Sequence, residues 1–175
     1  SGLITGFARL DGWSVGVIGS DPMSKAGAMD GNAADKYTHF VDLCDTFNLP
    51  LLIFLDMPGF MLGSHAERIA TMRRGARALI ATAECQVPKI EFMVRKSYGV
   101  AADAPNSIGL PDSINLRFGW PSGEWGGIPI EGGVAAAYRR EIEAADDPDA
   151  HREAIEERLL RLRSPFRAAH RGDVV

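Results

Sequence analysis

The sequence predicts an α/β fold, because strand-like and helix-like hydrophobic patterns alternate through its middle. Leu51-Leu52-Ile53-Phe54-Leu55 is uniformly apolar and bounded by Pro50 and by Asp56-Met57-Pro58-Gly59, the pattern of a strand buried in a parallel sheet. Helical spacing fills residues 33–47 before that run and 67–84 after it, and a second β run occupies 88–95. Helix, strand, helix, strand in this order calls for βαβ units.

The elements follow in order. Two short apolar runs, 3–10 and 13–19, flank Asp11-Gly12, a strong hairpin signal. Residues 21–32 are rich in Gly, Asp, Met and Ser and predict a surface loop. In the helix over 33–47, Ala33, Tyr37, Phe40, Val41, Cys44 and Phe47 share one stripe, and Asn48 is a reasonable stop. After a loop over 61–64, the helix over 67–84 has a basic face (Arg68, Arg73, Arg74, Arg77). Its apolar face carries Ile69, Met72, Ala76, Leu79, Ile80 and Ala83. A loop and short strand (115–118) are expected within 107–119, then a turn over 120–124 and a Gly-rich stretch, 127–133, leading into a helix over 134–144. Asp146-Asp147-Pro148-Asp149 has the acidic first turn of a helix start, and 150–162 forms a charge-laced helix ended by Ser164-Pro165-Phe166. Glu156 with Arg158, and Glu157 with Arg161, are expected to be solvated pairs of small value.

The chain has 175 residues, enough for one ordinary domain, and 46% of them are hydrophobic, which excludes wholesale disorder. A net charge of -4 without a basic stripe argues against nucleic acid as a partner. The longest apolar run is strand-length, so no membrane span is expected. Cys44 and Cys85 sit among apolar residues, as small buried hydrophobes do in a reducing, cytoplasmic compartment. Both ends fall within strand-like patterns, so residues 1–175 are expected to be part of a longer polypeptide.

Two stretches could carry chemistry. The first is Asp56-Met57-Pro58-Gly59-Phe60 with Gly63, at the carboxyl end of a buried strand, where α/β folds place ligands. Gly59 and Gly63 permit close backbone approach to a bound group, although spacing alone favours a plain strand-to-loop turn. The second is Tyr98-Gly99-Val100-Ala101-Ala102-Asp103, where a strand ends, small residues turn the chain and a short helix can begin near Ala101. Free N–H groups there could meet an oxyanion, each worth about 3 kcal/mol of barrier, or could meet only water or caps. His39, His65, His151 and His170 lack metal-ligand spacing, and no metal is expected. Neither Ser97 nor Ser122 has an evident partner base. Chemistry by positioned backbone dipoles and a mobile cofactor fits these absences.

In order along the chain stand Gly6-Phe7-Ala8-Arg9, Gly12, Val15-Gly16, Phe40-Val41-Asp42-Leu43-Cys44-Asp45 and Phe47-Asn48-Leu49-Pro50. Asp56-Met57-Pro58-Gly59-Phe60, Gly63, Gly75-Ala76, Val87-Pro88-Lys89, Arg95-Lys96-Ser97-Tyr98-Gly99 and Trp120-Pro121 continue the series. The series resembles the carboxyltransferase subunit of biotin-dependent propionyl-, acetyl- and methylcrotonyl-CoA carboxylases, in register from about Thr5 to Ala136. The resemblance implies a crotonase (ClpP)-like superhelix of ββα units, with this chain as the carboxyl-terminal, biotin-side domain. It implies transfer of a carboxyl group from carboxybiotin on a carrier protein to the alpha carbon of an acyl-CoA. The implied partners are an amino-terminal carboxyltransferase domain, a biotin carboxyl carrier and a biotin carboxylase, commonly in a hexamer. It further implies that the N–H groups of Val100 and Ala101 stabilise the biotin ureido oxyanion. Gly59, Phe60, Gly63, Tyr98 and Gly99 would line the biotin site, and Asp103 would help set acyl-CoA choice.

The family pattern has Gly at Val100 and an aromatic at Ala102. A β-branched residue disfavours positive φ, so the backbone at Val100 is expected to be αR or β. The loss of the aromatic is expected to enlarge the acyl pocket. Pro129 and Ile130 stand where the family has small residues. A biotin-dependent decarboxylase running the reverse transfer and a non-catalytic assembly domain of the same fold are the alternatives.

Overall fold

A computed structural model describes residues 2–103, 113–170 and 172. Strands β1 (Leu3–Leu10) and β2 (Trp13–Ser20) form the expected hairpin, with Leu10 opposite Trp13. Asp11 and Gly12 both take positive φ, 48° and 84°, which a two-residue turn matched to strand twist requires. β3 (Leu51–Met57) and β4 (Lys89–Tyr98) extend the sheet in parallel, and β5 (Asn115–Gly119) completes the order β1-β2-β3-β4-β5. β6 (Glu124–Gly126) pairs with the last three residues of β4.

Helix α1 (Gly31–Thr46) begins two residues earlier than expected because Asp30 caps it, accepting from the Ala33 N–H at 2.8 Å. Asn48 follows its end with φ 52°. α1 lies down on β2 at Gly16, where any Cβ would stand 2.4 Å from Cys44 Sγ. The main core joins Tyr37, Val41 and Cys44 of α1 to Ile18, Leu51, Ile53, Leu55 and Met93 of the sheet. The opposite sheet face is only half-buried and carries a stacked ladder, Phe54–Phe92–Phe118, with successive centroids 5.4 Å apart. β3 is therefore covered fully on one face only among the described residues, not on both.

The helix expected over 67–84 is two helices, α2 (Ser64–Arg68) and α3 (Thr71–Glu84), broken at Ala70, which takes φ 54°. The break rotates α3 so that Gly75, Ala78, Ala81 and Thr82 face the core. Tyr37 and Thr82 hydroxyls meet there at 2.9 Å. Met72 and Ile80, expected to be core, are 53% and 55% exposed. Small residues win the buried face because they allow α1 and α3 to approach closely. The α3 carboxyl end is capped by buried Lys89, whose ammonium donates to the Thr82 and Cys85 carbonyls at 3.1 and 2.9 Å.

After β4, α4 (Gly99–Asp103) begins at Gly99 rather than near Ala101. The part of the expected loop at 107–112 lies outside the described residues. The helix expected over 134–144 starts earlier and divides into α5 (Ile130–Ala137) and α6 (Arg139–Glu143) at Tyr138. α7 (Pro148–Leu162) starts at Pro148 under an Asp147 cap. Glu157 pairs with Arg161 as expected, whereas Glu156 pairs with Arg152 instead of Arg158. α8 (Pro165–His170) continues where the sequence predicted a stop, since proline suits a first helical turn. Ile130, Val134 and Ile155 form a small second core with Ile128, Tyr138, Ile142 and Leu159 around it. Among the described residues no helix is long and apolar enough to cross a membrane.

Candidate functional site

The carboxyl ends of β3 and β4 open side by side into the two turns singled out by sequence. At the end of β3, Gly59 is held by the 28–30 segment. The Met29 N–H donates to the Gly59 carbonyl at 3.0 Å, and the Met61 N–H donates to the Met29 carbonyl at 2.9 Å. Phe60 lays its ring on α3 at Gly75, where a Cβ would come within 2.3 Å of Cζ. A Cβ on Gly59 would stand 3.6 Å from the Tyr98 carbonyl oxygen, so the two turns are in contact. Gly63 lies further on, exposed at the start of α2.

At the end of β4, Tyr98 is buried and donates its hydroxyl to Glu124 Oε2 at 2.9 Å. Arg163 Nη1 approaches the same oxygen to 3.3 Å. Burial first, then Glu124, pushes the Tyr98 phenol up to about 12. Gly99 takes φ 63° and opens α4, and a Cβ there would stand 3.3 Å from the Gly127 carbonyl oxygen. Gly126 packs on the Tyr98 ring in the same way, with 3.0 Å to Cε1. Val100 lies outside the left-handed region, as expected, and Gly99 alone takes the left-handed turn. The Val100 side chain is 53% exposed, whereas Ala101 and Ala102 are sealed in the core. Asp103 ends the helix backbone.

The amides of Gly99, Val100 and Ala101 stand in the first turn of α4, where no carbonyl within the helix can reach them. Gly59 and Gly99 bring no side chain to this turn, and the Gly127 carbonyl closes on Gly99 from the other side. The arrangement can offer backbone donors to developing negative charge. Behind it a cavity of about 480 Å³ runs between Tyr98, Trp125, Gly127, Ile128, Tyr138 and Leu159. The sequence reading missed Glu124 and Gly126 of β6 and Arg163 at the end of α7, which carry no local motif, and marked Gly127 only as part of the Gly-rich stretch 127–133. His151 pairs with Glu141 at 2.9 Å on the surface, and among the described residues no three His, Cys, Asp or Glu side chains group to hold a metal.

A mixed α/β sheet with glycine turns and a short helix start at its carboxyl end is a place where α/β folds bring backbone N–H groups to a bound ligand. The chain belongs to the carboxyl transferase domain family, whose model matches residues 1–174. It is 42% identical over 173 residues to the carboxyltransferase subunit of propionyl-CoA carboxylase from Haloferax mediterranei, covering 98% of this chain and 33% of that protein. It is also 42% identical over 173 residues to the methylmalonyl-CoA carboxyltransferase 12S subunit of Propionibacterium freudenreichii subsp. shermanii, with the same coverage. A solved structure of transcarboxylase 12S, a hexamer with methylmalonyl-coenzyme A bound, superposes with TM-score 0.84 at 40% identity. The match covers 99% of this chain and 33% of that one. The fold is crotonase-like, and the chain spans about a third of the length of these relatives.

Proposed function

We propose that residues 1–175 form the carboxyl-terminal, biotin-side domain of a biotin-dependent carboxyltransferase acting on an acyl-CoA. The observation that carries this reading is the Gly99 turn, whose left-handed glycine opens α4 in contact with the Gly59 turn. In this reading the N–H groups of Val100 and Ala101 face the ureido oxygen of biotin. They stabilise the oxyanion that forms when the carboxyl group leaves N1, each by about 3 kcal/mol. Carboxybiotin on a carrier protein supplies the carboxyl group, and a biotin carboxylase reloads it. Gly59, Gly99 and Gly127 leave the close backbone approach that a bicyclic ureido ring needs, and Tyr98 is braced behind them by Glu124. Phe60 acts from behind, seating the Gly59 turn on α3, and Gly63 sets where α2 begins. Asp103 takes the position that adjusts acyl-CoA choice.

The acyl-CoA site belongs to an amino-terminal carboxyltransferase domain. Cytoplasmic placement accords with two free, buried cysteines.

The test is Val100→Pro in the complete enzyme. Proline deletes one N–H and is tolerated in a first helical turn. The expected result is a fall in kcat of roughly 10²–10³ with Tm within a few degrees. Unchanged transfer, or turnover by residues 1–175 alone without the partner domain and biotinylated carrier, would overturn the reading.

A further inference from the structure

Asp56 lies where the β3–β4 ladder slips. Leu55 pairs with Met93, but Met57 pairs with Ser97, so β4 carries two more residues than β3 across this step. Extending the first register would set Gly59 level with Ser97. Extending the second sets it level with Gly99. The slip therefore brings the two glycine turns to the same height.

The Asp56 carboxylate fills the gap that the slip creates. Its side chain is 13% exposed. Both of its oxygens accept from Arg95 Nε, at 3.2 and 3.1 Å, and Oδ2 also accepts from Arg95 Nη2 at 3.0 Å. Oδ1 accepts from the Lys96 backbone N–H at 3.2 Å. These are two of the three β4 residues, 94–96, that stand across from Asp56 at the slip. The Asp56 backbone is itself fixed. Its N–H donates to Ser20 Oγ at 3.1 Å, and its carbonyl packs so closely on Gly27 that a Cβ there would stand 2.5 Å away. Paired charge on Arg95 and backbone contact on Lys96 hold a register that a plain ladder would not choose.

We propose that Asp56 is a positioning residue for carboxyl transfer: clasping Arg95 and Lys96, it holds the slip that sets the Gly99 turn beside Gly59. This rests on the reading of the Gly99 turn as the oxyanion site. Asp56 touches no reacting atom. It acts through the height of the Val100 and Ala101 amides, where a misplacement of about 1 Å can cost 10²-fold in rate.

The test uses the complete enzyme with Asp56→Ala and Asp56→Asn. Asp56→Ala should lower kcat at least about tenfold while leaving KM for acyl-CoA within about twofold. Asp56→Asn keeps an acceptor for Lys96 and should fall between Asp56→Ala and the parent. Amide hydrogen exchange should quicken at residues 59–61 and 99–101 and stay unchanged at 51–55 and 89–93. A parental kcat in Asp56→Asn and Asp56→Ala, or exchange that quickens evenly along both strands, would overturn the proposal. If Asp56→Ala does not fold, Asp56→Asn decides by the same measures. Val100→Pro separates the two readings: slow Val100→Pro with unaffected Asp56 variants sinks only the positioning role, and unaffected Val100→Pro sinks the oxyanion site itself.

Discussion

Gly99 carries a backbone conformation that few other residues accept. Its φ of 63° costs an L-residue about 1–2 kcal/mol, and a methyl group there would also press on the Gly127 carbonyl at 3.3 Å. Gly99→Ala should therefore lower Tm by roughly 2–8 °C in calorimetry. A parental Tm would show that the turn relaxes without strain. Gly99 and the constraint on Val100 were legible in the sequence, because both follow from what a Cβ permits at one position. Asp56 and Glu124 were not legible as supports. Their partners lie 40 and 26 residues away, at Lys96 and Tyr98, and a carboxylate in a turn signals neither.

Helix α3 shows how an element can be recognised and still be turned the wrong way. The 3.6-residue period announced a helix, and the larger side chains marked Met72 and Ile80 as its core face. The break at Ala70 rotates the helix, and the narrow space over α1 selects Gly75, Ala78 and Ala81 instead. Two apolar faces on one helix leave one of them exposed in residues 1–175. Met72→Glu with Ile80→Glu should leave the Tm of residues 1–175 within about 2 °C, because exposed substitutions change stability by less than about 0.5 kcal/mol. A larger fall in Tm would show that this face is packed rather than exposed. β6 escaped the sequence reading for a related reason. Three residues between a turn and a Gly-rich stretch have too little pattern of their own, and only the free edge of β4 makes them a strand.

For the whole molecule, buried neutral groups set the response to alkali. Burial pushes the Cys44 thiol from about 9 up to about 11 and the Tyr98 phenol from about 10 up to about 12, and it pushes Tyr37 higher still. Folded values above unfolded ones mean that the stabilisation is complete below the unfolded value and is lost as pH rises through the folded one. Lys89 runs the other way, because burial lowers its value and folding then gains as pH approaches 10.5. Burial pushes the Cys85 thiol up as well, and four raised acids outweigh one lowered base, so Tm should fall steadily from about pH 9 to pH 12. Cys44→Ala should flatten the pH 9–11 part of that decline. A flat profile for the parent chain would show that these groups ionise without loss of structure.

Residues 1–174 alone determined the family, and local patterns determined most of the elements, since a period of two or 3.6, an Asp-Gly turn and a glycine after a strand are each encoded within a few positions. Tertiary structure decided the rest of the site. The slip that levels Gly59 with Gly99, the pairing of β6 beneath Tyr98 and the choice of buried face on α3 all depend on residues far apart in the chain. They meet only after the sheet has formed, because strand register and helix rotation are energies of packing between elements and have no trace in any one of them.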